Sequence, residues 1–187
     1  MKLSLEQWLV IGFCAVLLIG YIAGYYYNRQ QAGKIHGWLR SNLEKWGTVA
    51  LGEKLPGMVT GGRLLVQNSS KPFRQIEAVY LLAPRENLIF WFVHLLQGRG
   101  DELVLRIHLP NVPKQAMEVK RNWRSKFVYH GEGTEEQWKA FLAKHGQAFI
   151  HMAFRREAPH FFVRARLPLL MSDSSWTFLA SLAELVP

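Results

Sequence analysis

Residues Trp8 to Tyr27 read WLVIGFCAVLLIGYIAGYYY, twenty positions without a charge. As an α-helix they rise about 30 Å, the thickness of a bilayer's hydrocarbon layer. Aromatic side chains mark both ends, Trp8 on one side and Tyr21, Tyr25, Tyr26 and Tyr27 on the other, where amphipathic rings settle between acyl chains and headgroups. A buried core helix rarely stays apolar on every face for five turns. A cleaved signal would need a basic leader, a shorter apolar run and a small-x-small site. Here Glu6 offsets Lys2, and tyrosines occupy the place where cleavage would fall. The stretch predicts a transmembrane anchor, bounded as residues 1–28.

Outward from this span, the flanking charges set its direction. Lys2 and Glu6 precede it, whereas Arg29, Lys34, Arg40 and Lys45 follow against Glu44. The positive-inside rule therefore predicts the N-terminus outside and the body of the chain in the cytoplasm. The single cysteine, Cys14, lies within the span, so no intrachain disulfide is expected. The formal net charge of +9 suits either an anionic neighbour (lipid headgroups or RNA) or the ordinary Lys/Arg excess of a cytoplasmic membrane protein.

Residues 29–47 keep a helical pattern, with Ile35, Trp38, Leu39, Leu43 and Trp46 recurring at three- and four-residue spacing beside basic positions. They predict a juxtamembrane amphipathic helix, bent near Gly33 or Gly37, running along the headgroups or onto the domain. Interface contacts are expected from Trp8, Tyr25, Tyr26, Tyr27, Arg29, Lys34, Trp38 and Arg40. Gly12, Ala15, Gly20 and Gly24 are small enough to let another helix approach the span.

Residues 48–187 predict one α+β domain, an antiparallel sheet with helices on one face. Met58–Gln67 and Phe73–Leu82 read as a hairpin around Asn68–Pro72, with Gly61-Gly62 as a twist or bulge. The greasy segment 86–97, ENLIFWFVHLLQ, is too short to cross a bilayer; burial against the sheet is the expectation, with the membrane interface as the alternative. Residues 101–109 alternate as a half-buried strand, and 117–130 reads as one further strand. Thr134–Gln137 has capping-box spacing ahead of Trp138, Phe141 and Leu142. Strands over 148–155 and 160–167 and a terminal helix capped at Ser172–Ser174 complete a ββα ββα ββα order.

The chemistry-bearing patterns are sparse. Seven histidines include no pair at helical metal spacing with a carboxylate, and neither a nucleophile elbow nor a phosphate loop occurs. Neither an enzyme nor a cofactor is expected. Lys120, Arg121, Arg124, Lys126, Arg155 and Arg156, with Trp123 among them, would make a polyanion-binding sheet face if their strands are neighbours; a plain solvated face would carry the same residues.

The segments Ile22–Tyr27, Trp38 to Glu44, Gly62–Leu65, Glu86–Leu96 and Asp101–Leu109, with blocks around Phe149–Phe154 and Phe161–Leu185, resemble the calumin family, membrane proteins of the endoplasmic reticulum that work with Asterix in the PAT complex. The resemblance implies a tethered cytosolic α+β domain beside the translocon that helps multipass proteins assemble without catalysis. The implied partners are translocon or insertase subunits, an Asterix-like small protein, lipid, and ribosome or RNA. With about seven residues before the span and the given sequence running to Pro187, the family's acidic luminal region and long basic C-terminal coiled coil are not expected, and its calcium binding is not carried over. Such a chain suits a prokaryotic plasma membrane, or the endoplasmic reticulum if eukaryotic.

Overall fold

The computed structural model describes residues 4–50, 60–69, 72–122, 126–132, 135–172 and 176–184. Helix α1 (Leu5–Leu43) is one unbroken α-helix of 39 residues, with no break at Gly33 or Gly37. Ser4 caps it by accepting a hydrogen bond from the Gln7 N–H while the Gln7 side chain accepts from the Ser4 N–H. Among the described residues it is the one helix long and apolar enough to cross a membrane.

The domain is a single open antiparallel sheet of eight strands: β1 (Thr48–Ala50), β2 (Gly61–Gln67), β3 (Gln75–Leu81), β4 (Glu102–His108), β5 (Met117–Arg121), β6 (Phe127–Gly131), β7 (Phe149–Phe154) and β8 (Phe161–Arg166). Its order is β1-β2-β3-β4-β8-β7-β5-β6. The helices are α2 (Leu88–Leu96), α3 (Glu135–His145), α4 (Leu167–Ser172) and α5 (Thr177–Glu184). The architecture is α+β, as the alternation of apolar residues requires.

One face of the sheet carries the core. Leu64, Val66, Ile76, Ala78, Leu103, Leu105, Ile107, Met117, Val119, Phe149, Met152, Phe161 and Val163 all point to it and are buried. α3 lays Trp138 on Phe161 at 5.9 Å and Phe141 beside Phe149 at 5.6 Å, while Phe178 of α5 meets Phe149 at 5.7 Å. The last third of α1 joins this core through Ile35, Leu39 and Leu43. Burying side chains of that size stabilises a fold by about 1.5–3 kcal/mol each, so residues 35–43 belong to the domain's own interior rather than to a separate surface helix. Trp38 sits edge-on to Trp176 at 5.2 Å.

Besides the missing bend in α1, four expectations for the domain change. The segment 117–130 is not one strand but the hairpin β5–β6, because Asn122 turns the chain: its N–H donates to the Lys126 carbonyl and its side-chain oxygen accepts from the Lys126 N–H. A short strand β1 pairs with β2 at the sheet edge. Gly61-Gly62 stay in regular register with Leu81 and Tyr80; Gly62 makes room for the Tyr80 ring, since a Cβ there would lie 2.5 Å from its hydroxyl. The fourth change concerns α2, whose apolar side chains are exposed rather than buried. Met58, Thr134, Asp173 and Ser174 lie outside the described residues.

Candidate membrane and interaction surfaces

A single line of residues down α1 meets the rest of the protein. Gly20, Gly24, Asn28, Ala32, Ile35, Leu39 and Leu43 recur at three- or four-residue intervals and so share one face. Its chemistry changes with height. Ile35, Leu39 and Leu43 sit in the domain core, Asn28 lies where the span ends, and Gly20 and Gly24 lie inside the span. A Cβ on Gly20 would come 2.3 Å from Leu88 Cδ1, and one on Gly24 would come 2.1 Å from the Arg85 carbonyl oxygen. The glycines thus admit the first turn of α2 and the chain leading into it.

Below that contact lies a polar clasp. Asn28, 0% exposed, donates through Nδ2 to the Ala83 carbonyl at 3.0 Å and to Glu86 Oε2 at 2.7 Å. Arg85 donates to Asn28 Oδ1 at 3.0 Å and grips Asp101 with two bonds of 2.9 Å. Asp101 also accepts from the Ala83 N–H. The Arg85 guanidinium lies 4.9 Å over the Tyr27 ring. Strands β3 and β4 are therefore tied to each other and to α1 at the point where both ends of the α2 excursion leave the sheet. None of Asn28, Arg85, Glu86 and Asp101 was a candidate from sequence; the available signal was ionisable residues bracketing a greasy segment at both ends.

Helix α2 itself has no buried residue. Asn87 caps its N-terminus by accepting from the Phe90 N–H, and Gly98 follows it in the left-handed region at φ +64°. Phe90 is 60% and Leu96 72% exposed, with Ile89, Phe92 and Leu95 close behind. In water each such side chain would forgo about 1 kcal/mol or more of burial free energy. The helix is apolar all round, the pattern of a helix surrounded by apolar material.

The small residues of the span divide. Gly20 and Gly24 pack within the molecule, whereas nothing lies within 4 Å of a Cβ on Gly12. At about 100° per residue, Gly12 and Ala15 lie about 80–180° round the helix from Gly20 and Gly24. The interface candidates divide as well. Trp8, Tyr26, Tyr27 and Arg29 are exposed near the ends of the span and Tyr25 stacks on Tyr21. Lys34 is exposed one to two turns further on. Trp38 and Arg40 lie about 16 and 20 Å along the helix from Tyr27, where Trp38 packs on Trp176 and Arg40 pairs with Glu44 at 2.7 Å. Those two belong to the domain, because the unbroken helix carries them away from the span.

The basic candidates do not merge into one positive sheet face, although β8, β7 and β5 are neighbours. Lys120 and Arg155 share the open face, with Lys120 2.7 Å from Glu118 and Arg155 6.0 Å over Phe162. Arg121 turns to the other side, donating to the Gln147 carbonyl and stacking over Phe127, its buried Nε without a hydrogen-bond partner among the described residues. Arg156 pairs with Glu132 at 2.8 Å, Lys126 is exposed beyond the strand, and Arg124 lies outside the described residues. Carboxylates interleave the cations on the open face: Glu77 with Arg63 at 2.8 Å and Arg106 at 3.7 Å, and Glu102 bidentate on Arg164 at 2.6 and 2.9 Å. The Glu102 bond holds the Arg164 guanidinium charged, raising its pKa. Such pairing cuts the positive field a nucleic acid would need. Near it, hydrogen bonding from Lys120 lowers the Glu118 pKa, and burial lowers that of His151 despite its 2.7 Å bond to Glu118.

Among the described residues, no three His, Cys, Asp or Glu side chains form a metal-binding group. At the end of the sheet away from the span, Phe73, Arg74, Leu109, Val112, Lys114 and Phe154 line an open cleft of about 890 Å³. Compared with protein-family models and with curated proteins, the chain matches none.

Proposed function

We propose that this protein is a single-pass membrane protein, its domain on the cytoplasmic side, that assists the insertion or assembly of other membrane proteins by direct contact, as its resemblance to the calumin family implies. The observation that carries this reading is the passage of α1 from an apolar span into the domain core with no joint between them. A body tethered through a slack linker is free to turn. Here one rigid rod sets the height and orientation of the domain over the bilayer. That arrangement suits a task performed at the membrane surface on something held there. The bare side of the span around Gly12 and Ala15 supplies a place for a partner helix to approach closely.

The test uses the full chain in its native membrane. A photoreactive residue at Ile19, exposed on the Gly12–Ala15 side of the span, should capture translocon or insertase subunits or an Asterix-like small membrane protein. Adducts to lipid alone would overturn the assembly role. A short Gly/Ser insertion after Gln31 should abolish those adducts while leaving the anchor inserted. Protease added to intact cells or sealed organelles should spare the domain, and its digestion would invert the orientation.

A further inference from the structure

We infer that α2 is a second membrane-embedded element, buried in the leaflet on the domain's side of the bilayer, and that the adjoining end of the sheet rests on anionic lipid headgroups. This rests on the reading of α1 as a membrane span and adds to it a partner for a different part of the chain.

Depth is the first argument. Leu88 fills the space over Gly20, seven residues into the span from Tyr27 and so about 10 Å inside its domain-side end. The Arg85 carbonyl meets Gly24 between these levels. The clasp of Asn28, Arg85, Glu86 and Asp101 sits at the point where polar groups resume along α1, the level expected of headgroups. A segment pinned to α1 above that clasp is pinned within the acyl chains.

Length and coverage are the second argument. Nine residues of helix extend about 13 Å, less than half the hydrocarbon thickness, so α2 can dip into one leaflet or lie within it but cannot cross. Both ends of the excursion return to the same clasp. Apart from Leu88, which packs over Gly20, and the half-buried His94, the residues of α2 are exposed, and every face is apolar except where Asn87, His94 and Gln97 fall near its ends. A helix meant to receive one partner helix would be apolar on one stripe; one apolar all round is matched to a solvent, and at this depth the solvent is lipid.

Charge is the third. The same end of the sheet is traced by a row of hydrogen bonds: Leu167 N–H to the Asp101 carbonyl, Arg166 N–H to the Ala148 carbonyl, Arg121 to the Gln147 carbonyl, and Asn122 N–H to the Lys126 carbonyl. Along it Arg99, Lys126 and Arg166 are exposed, while the acids beside them, Glu86, Asp101 and Glu102, are already engaged by Asn28, Arg85 and Arg164. This leaves a cationic rim at headgroup height, next to the apolar helix that goes deeper.

The full chain, with Cys14→Ser and one environment-sensitive fluorophore at an introduced cysteine, is reconstituted into protein-free vesicles of zwitterionic and anionic phospholipid. Phe92→Cys reports α2, Val16→Cys the span, Lys126→Cys the rim and Asn111→Cys the opposite end of the domain. Nitroxide on the acyl chain should quench positions 16 and 92, nitroxide on the headgroup should quench 126, and 111 should be quenched by neither. Quenching at 16 but not at 92 would overturn the embedding of α2 and leave the anchor standing, because α2 would then be covered by a protein the vesicles lack. No quenching at 16 would overturn the anchor and this inference with it. Quenching at 126 no greater than at 111 would overturn the headgroup contact.

Discussion

Replacing Gly24 by alanine tests whether α1 and the α2 excursion are seated as one unit. The added methyl would start 2.1 Å from the Arg85 carbonyl oxygen, so the two backbones would have to separate by about 1.3 Å to reach ordinary contact. Neither side yields easily, since one is helix backbone and the other is held by the Arg85–Asp101 pair. Overpacking of this kind costs about 1–3 kcal/mol. A retreat of that size also lengthens the 3.0 Å bond from Asn28 to the Ala83 carbonyl beyond reach, stranding part of a fully buried amide at about 1–3 kcal/mol. Against this stands the gain of about 0.5–1 kcal/mol for alanine over glycine within a helix. The net expectation is a loss of about 3 kcal/mol, a fall in Tm of roughly 6–12 °C for a chain of this size. The assay is thermal unfolding of the full chain in detergent micelles beside Gly12→Ala, where nothing lies within 4 Å and a neutral or slightly stabilising effect is expected. If the two variants melt together, the packing of 84–88 on α1 is refuted.

Other outcomes follow from the same contacts. A fragment 48–187 lacks Ile35, Leu39 and Leu43 and should show no cooperative melt, and Leu39→Ala in the full chain should cost about 2–5 kcal/mol; a cooperatively folding 48–187 fragment would place the core elsewhere. Asp101→Asn leaves the Arg85 guanidinium, with Arg85 and Asp101 largely buried, without its counter-charge and should destabilise by about 2–3 kcal/mol, read by chemical denaturation; an unchanged midpoint would remove the clasp from the argument. Burial lowers the His151 pKa, so the unfolded chain takes up a proton before the folded one does, and stability falls as pH drops below about 6.5. The lowered Glu118 pKa adds a further loss at more acid pH, as its bond to Lys120 is titrated away. His151→Gln should therefore flatten the Tm profile between about pH 7.5 and 5.5, and an unaltered slope would refute the assignment.

Much of the fold is legible in local pattern. An uncharged run of bilayer length announces α1, period-two alternation over 101–109 announces β4, and Asn87 and Gly98 bracket α2, because backbone hydrogen bonding and side-chain periodicity act over a few residues. The hairpin inside 117–130 was hidden, since Asn122 is an ordinary strand-end residue until its side chain meets Lys126. The candidate surfaces were legible as residue types but not as groups. Lys120 and Arg121 are adjacent in the chain and lie on opposite faces of the sheet, and Glu77 and Glu102 temper Arg106 and Arg164, cations distant in sequence.

What the chain by itself determined is the apolar span, its aromatic ends, its charge asymmetry and the strand-rich body that follows. Only the tertiary structure decided that Gly24, Asn28 and Leu39 form one stripe that meets the α2 excursion, the polar clasp and the core in turn. It alone decided that the greasiest short helix turns away from the sheet. A short apolar segment is equally satisfied by a protein interior or by lipid, and nothing local distinguishes them. The place of α2 was set at a distance, by two glycines and the clasp of Asn28, Arg85 and Asp101 that hold it beside α1 and away from the sheet.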